Sequence, residues 1–291
     1  MGQERFAGAA RHDSDRAITH GGETPREKSI AVSTITTDQG VVHYEVHGRG
    51  RPVILLHGWL GSWGLWQETM SFLQNDYRAY ALDFWGFGES GKKRESYDIP
   101  DFVSLVDQFM DRMGIAQAPL VGHSMGGTVS LAVAIRYPHR VTKVGIIGSP
   151  IVGGSLALPL KLAGYTPVAW AVHNMLWALK LGLRAAAPRI TNDPRWPDMI
   201  NQDLDKTTLE SFLSSIKSLR KTDLRATLEQ IHKPVLGIYG LKDNLVNPNQ
   251  YKLLEAGVAE PHVQLMEHAG HFPMLDQPRA FMTTLKQFLD E

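Results

Sequence analysis

Gly122-His123-Ser124-Met125-Gly126 constrains this chain more than any other stretch. The apolar run Ala118-Pro119-Leu120-Val121 leads into it. The small-residue run Gly127-Thr128-Val129-Ser130-Leu131-Ala132-Val133-Ala134 leads out. The pattern predicts a strand, a sharp turn and a helix. In so tight a turn a side chain at either flanking position would meet backbone, so both flanks are glycine. The serine then stands at the tip, at a helix N-terminus whose free N–H groups favour developing negative charge. G-x-S-x-G in that setting presents a serine as a nucleophile.

A serine hydroxyl needs a base, and the base needs an orienting acid. With this turn the expected chain order is Ser, then Asp or Glu, then His. The strand-like run Pro234-Val235-Leu236-Gly237-Ile238-Tyr239 is followed at once by Gly240-Leu241-Lys242-Asp243. The next run, Val263-Gln264-Leu265-Met266, is followed by Glu267-His268-Ala269-Gly270-His271-Phe272-Pro273. Ser124, Asp243 and His271 thus fall in order, each on the loop after a strand, where open parallel sheets place ligands. Pro52-Val53-Ile54-Leu55-Leu56 reads as a strand buried on both faces. It ends in His57-Gly58-Trp59-Leu60-Gly61-Ser62. An oxyanion would be held by the backbone N–H groups of Trp59 and of Met125, the residue after the serine.

These segments carry a resemblance to the α/β-hydrolase family, in the subgroup with H-G-x after the first buried strand and G-H-S-M-G-G at the turn. Asp83-Phe84-Trp85-Gly86-Phe87-Gly88-Glu89-Ser90 is similar to its D-x-x-G-x-G-x-S loop. Gly240-Leu241-Lys242-Asp243-Asn244-Leu245-Val246 resembles the G-x-x-D-x-x-V segment bearing the acid, and Ala269-Gly270-His271-Phe272-Pro273 the A-G-H-x-P segment bearing the base. The resemblance spans about residues 30 to 290. It implies an α/β fold: a mostly parallel central sheet flanked by helices, with an inserted helical cap. It also prefers His271 over His268 as base. Asp83 is the rival acid; it precedes the serine, so it is read as an organiser of the loop beside the site.

The element pattern agrees. Ile30 to Thr36 and Val41 to His47 predict a hairpin around Asp38-Gln39-Gly40. Trp63 to Leu73 predicts a helix, Tyr80-Ala81-Leu82 a strand, and Val141 to Gly148 another strand. Phe102, Leu105, Val106, Phe109, Met110 and Met113 recur at helical spacing, as do Phe281, Met282, Leu285, Phe288 and Leu289. Leu253 and Leu254 mark a helix after the acid loop. Alternating strands and helices predict a parallel sheet covered on both faces. The alternation stops between Ile151 and Leu224, where Leu209, Phe212, Leu213, Ile216 and Leu219 mark one helix and Ala169 to Leu183 another. The expected organisation is a flexible N-terminal extension (1–29), the first part of an α/β core (30–150), a helical cap (151–224) and the rest of the core (225–291). Tyr165 to Trp177 contains no Asp, Glu, Lys or Arg. It is either packed on its neighbours or, with Trp170, Met175 and Trp177, lines an apolar substrate pocket.

Net charge is zero, with 30 basic and 30 acidic residues, which argues against a nucleic-acid partner. The absence of cysteine excludes disulfides. The twelve histidines show no metal-ligand spacing, so neither a metal nor a cofactor is expected. The first 29 residues lack the apolar core of a secretory leader, and no stretch is long and apolar enough to span a membrane; a cytoplasmic location is the expectation. The expected partner is a small-molecule apolar ester; the oligomeric state is not encoded legibly. A carboxylic-ester hydrolase is the first reading. A C–C bond hydrolase, lactonase, thioesterase or cofactor-free perhydrolase on the same three residues is the second, and a ligand-binding receptor on this scaffold the third. A serine at this position excludes haloalkane dehalogenase and epoxide hydrolase mechanisms, which need an aspartate there.

Overall fold

The structure is a computed structural model that describes residues 33–93, 96–163, 165 and 175–291. The predicted extension at 1–29, the start of the first strand at Ile30, Trp170 and most of the charge-free run lie outside the described residues. Eight strands form one sheet: β1 (Thr34–Thr37), β2 (Gly40–His47), β3 (Arg51–Leu56), β4 (Tyr77–Leu82), β5 (Ala118–His123), β6 (Val141–Ile147), β7 (Val235–Gly240) and β8 (Pro261–Met266). Their spatial order is β1-β2-β4-β3-β5-β6-β7-β8. β1 and β2 pair antiparallel as the predicted hairpin, β2 pairs antiparallel with β4, and every pairing from β4 through β8 is parallel.

The helices are α1 (Gln67–Leu73), α2 (Ile99–Arg112), α3 (Met125–Arg136), α4 (Leu158–Ala163), α5 (Leu176–Ile190), α6 (Trp196–Asp205), α7 (Leu209–Lys221), α8 (Gln250–Gly257), α9 (Pro273–Asp276) and α10 (Pro278–Asp290). Phe102, Leu105, Val106, Phe109 and Met110 line the buried stripe of α2, and Phe281, Leu285, Phe288 and Leu289 that of α10. Each face of the sheet is covered. Ile54, Leu56, Leu120, Val144 and Ile146 belong to one core, and Val53, Leu55, Val121, Ile147 and Ile238 to the other. That two-sided burial is why these strands read as unbroken apolar runs rather than alternating ones.

The strand order places the site. From β3 the chain crosses to β4 on one side, and β5 then pairs with β3 on the other. The crevice beyond the C-terminal ends of β3 and β5 is therefore the switch point where such sheets bind ligands. Leu56, the last residue of β3, pairs with Gly122, two residues before Ser124.

Between β6 and β7 the described residues hold α4 to α7 and no strand of the sheet. The two ends of this insert are tied together: Gly153 N–H donates to Thr222 O (2.8 Å) and Leu224 N–H to Ile151 O (3.1 Å). α5 reaches Ile190, beyond the Leu183 end suggested by the sequence, and α6 was not foreseen. Among the described residues no helix is long and apolar enough to cross a membrane.

Candidate active site

Ser124 has φ 51° and ψ −117°, a conformation a side-chain-bearing residue adopts only when its surroundings impose it. The imposition is visible. Ser124 N–H donates to Ile147 O on β6 (2.8 Å), and Ser124 O accepts from Gly127 N–H (3.0 Å) and Thr128 N–H (3.2 Å). A Cβ on Gly122 would lie 2.2 Å from the Gly126 backbone, and one on Gly126 would lie 2.3 Å from the Leu56 carbonyl oxygen. Both glycines are required by contact, and together they press the turn against β3.

Asp243 and His271 lie on the loops after β7 and β8. His271 Nδ1–H donates to Asp243 Oδ2 at 2.7 Å, with both side chains buried. The other carboxylate oxygen accepts from Leu245 N–H (2.8 Å) and Val246 N–H (2.9 Å), so the acid is fixed before it meets the imidazole. His271 O accepts from His123 Nε2–H at 2.9 Å, and the two imidazoles pack at 4.7 Å. His271 is thereby clamped to the residue preceding Ser124. His268 is exposed.

The loop after β3 is braced from several sides. His57 Nδ1–H donates to Gly58 O (2.7 Å), and its Nε2 accepts from Phe84 N–H (3.0 Å). Burial lowers the His57 pKa against the pull of Asp83, which suits a neutral ring with one donor and one acceptor. Gly61 N–H also donates to Gly58 O, at 3.1 Å. In a planar trans peptide, fixing the Gly58 carbonyl fixes the following Trp59 N–H in the opposite direction. Neither Trp59 N–H nor Met125 N–H has a hydrogen-bond partner among the described residues. The Trp59 indole leans on the insert: Nε1–H donates to Phe212 O (3.3 Å) and the rings meet at 4.6 Å.

Asp83 is fully buried and accepts from Trp63 N–H (2.7 Å), Glu89 N–H (2.9 Å) and His43 Nδ1–H (2.8 Å). It joins the hairpin, the loop after β3 and its own loop. Burial opposes charge on His43, but the bond and charge of Asp83 outweigh it and raise the imidazole pKa.

Sequence reasoning missed Asp203, on α6. Burial pushes its carboxyl up to about 6 from an ordinary 3.8; the Ser62 hydroxyl and Lys206 pull the other way, while the Asp83 charge adds to the rise. Folding therefore favours the neutral acid. Its contribution to stability is complete below about pH 4 and is lost as pH rises through about 6, where the buried charge costs up to about 3 kcal/mol, less whatever solvent screens. Asp203→Asn is expected to leave Tm near the wild-type value at about pH 4 and to raise it by several degrees at about pH 8, read by calorimetry.

Of the residues proposed for substrate contact, Met175 (47% exposed) and Trp177 (67%) open α5 on the surface of the insert, not in the packed core. Trp170 lies outside the described residues.

Similarities to known proteins follow this geometry. A family model described as alpha/beta hydrolase fold matches residues 51–167. The chain is 26% identical over 257 residues to 3-oxoadipate enol-lactonase 2 of Acinetobacter baylyi, covering 85% of the chain and 92% of that protein. It is 27% identical over 271 residues to a pimeloyl-(acyl-carrier protein) methyl ester esterase of Vibrio atlanticus, covering 85% and 97%. A crystal structure of a hydrolase from Pseudomonas aeruginosa superposes with a TM-score of 0.79 at 21% identity, over 90% of this chain and all of that one, a likeness of fold.

Proposed function

The chain belongs to the α/β-hydrolase superfamily, and on that premise we propose that it is a serine hydrolase of carboxylic esters with small to medium apolar acyl groups. The observation that carries the reading is the buried 2.7 Å Asp243–His271 pair beside a serine held in a strained turn. His271 takes the Ser124 proton as the hydroxyl oxygen attacks the ester carbonyl. Asp243 fixes the imidazole tautomer and stabilises its cation. Trp59 and Met125 N–H groups receive the oxyanion. His271 then protonates the leaving alcohol, and water activated by the same ring releases the acid. In this reading the described helices between β6 and β7 act as a cap, with Met175 and Trp177 as apolar residues at the mouth of the pocket, and Trp170 is the third residue expected to contact substrate.

A lactone is an internal ester, and similarity to an enol-lactonase supports testing one. The decisive panel is p-nitrophenyl esters of increasing chain length, with a lactone, a thioester and a vinylogous diketone alongside. Highest kcat/KM on short to medium esters supports the proposal; turnover of the diketone alone contradicts it. Each buried methylene contributes about 0.8 kcal/mol at most, so selectivity between neighbouring lengths should stay under about tenfold. Trp170→Ala or Trp177→Ala should move the optimum to longer chains with little change on acetates. An unchanged profile in both variants removes those indoles from the pocket.

A further inference from the structure

The loop that carries His271 is held by a carboxylate outside the Ser124, Asp243 and His271 set. Pro273 opens α9, a single turn that brings Asp276 back to that loop, and Asp276 N–H donates to Phe272 O at 3.0 Å. Its carboxylate gathers three donors. Oδ2 accepts from Gly270 N–H at 2.7 Å, one residue before His271. Oδ1 accepts from the Thr191 hydroxyl and from Asn192 N–H, both at 2.6 Å. Thr191 and Asn192 directly follow α5. One side chain therefore ties the end of α5 to the loop of His271.

The junction is tight on the other sides too. Ile190 O accepts from His271 N–H at 3.3 Å, and Asn244 Nδ2–H donates to Arg189 O at 2.6 Å. A Cβ on Gly270 would lie 2.5 Å from Ile190 O, and one on Gly240 would lie 2.2 Å from Gly270 O. The Gly270 peptide is thus gripped between the end of α5 and the end of β7. Of the two donors this stretch gives away, Gly270 N–H makes a short bond to a carboxylate and His271 N–H a long one to a carbonyl. Asp276 is the stronger hold on the backbone from which the imidazole projects.

We infer that Asp276 is a positioning residue for His271: by fixing the Gly270 peptide it sets where the imidazole stands relative to Asp243 and Ser124. The inference rests on His271 serving as the base proposed above. Asp276 acts through the backbone and leaves substrate binding to other groups. A reacting group displaced by about 1 Å costs on the order of a hundredfold in rate. A carboxylate suits the place because both of its oxygens accept. An asparagine has one acceptor for three donors. The two donors beyond α5 keep its oxygen, which turns its NH₂ against Gly270 N–H and breaks that bond.

Asp276→Asn is therefore expected to lower kcat for ester cleavage by about 10- to 100-fold, with KM within about threefold of wild type. Thr191→Val is the control. It removes a donor from Oδ1 and leaves Oδ2 for Gly270 N–H, so Tm should fall by a similar amount while kcat stays within about threefold. Asp276→Glu, which keeps both acceptors on a longer arm, should lie between Asp276→Asn and wild type. A second readout needs no turnover. In Ser124→Ala, proton NMR follows the Nδ1–H that His271 shares with Asp243, a resonance far downfield of the amides. Adding Asp276→Asn should shift or broaden it, and adding Thr191→Val should leave it in place. An unchanged resonance with kcat within about twofold overturns the inference. So does an equal loss of kcat in Thr191→Val, which would mean general loosening, or a greater loss in Asp276→Glu than in Asp276→Asn. A resonance that responds to Asp276→Asn when the wild type cleaves no ester supports the positioning and sinks the proposed activity. Ester cleavage with kcat and resonance both indifferent to Asp276→Asn does the reverse.

Discussion

Ser124→Ala is expected to lower kcat for ester cleavage by about 10⁴-fold or more, with the fold and Tm nearly unchanged. The hydroxyl is the only atom lost. The turn that holds it is set by backbone bonds to Ile147, Gly127 and Thr128 and by the contacts of Gly122 and Gly126, none of which involves the Ser124 side chain. Residual rate should come from the free N–H groups and from substrate binding, which act without a nucleophile. Retention of more than about a tenth of kcat would assign the chemistry to another group.

His271→Ala should cost about as much, because nucleophile and base work as a unit. His268→Ala, on an exposed side chain three positions earlier, should stay within about twofold of wild type. Reversal of the two effects would move the base to His268. Asp243→Asn probes the same unit from the other end. Leu245 and Val246 N–H groups demand an acceptor, so the asparagine oxygen faces them and its NH₂ faces His271 Nδ1. That stabilises the tautomer with its proton on Nε2, which cannot accept the serine proton. The expected loss in kcat is about 10⁴-fold with the fold retained. Near-normal activity would point to another acid, with Asp83 tested next.

Much of this was legible in the sequence because the signals are local. A strand leading into a tight glycine-flanked turn leaves its mark within a few residues around Ser124. So do the loops of Asp243 and His271, which directly follow apolar runs. The parallel sheet was legible because burial on both faces produces those runs. What was not legible depends on distant contacts. β4 begins at Tyr77, ahead of the apolar run noticed at Tyr80, because parallel pairing with β3 carries the strand back through Arg78. α5 runs through Gly182 and Pro188, residues that read as breakers. α6 hides its stripe among Asn201, Gln202, Asp203 and Asp205, so its periodicity is weak until Trp196 and Ile200 are seen to pack. A lone aspartate carries no spacing signal, and only the loop after β3, folded against α6, reveals that Asp203 is largely withdrawn from water.

In the proposed mechanism Ser124 forms a covalent bond with the substrate carbonyl carbon. Reaction with a p-nitrophenyl alkylphosphonate, followed by intact-mass and peptide-level mass spectrometry, tests it most directly. One adduct per chain is expected, on the peptide containing Ser124, absent in Ser124→Ala and formed far more slowly in His271→Ala. An adduct on a different residue, or equal labelling of Ser124→Ala, would place the nucleophile elsewhere.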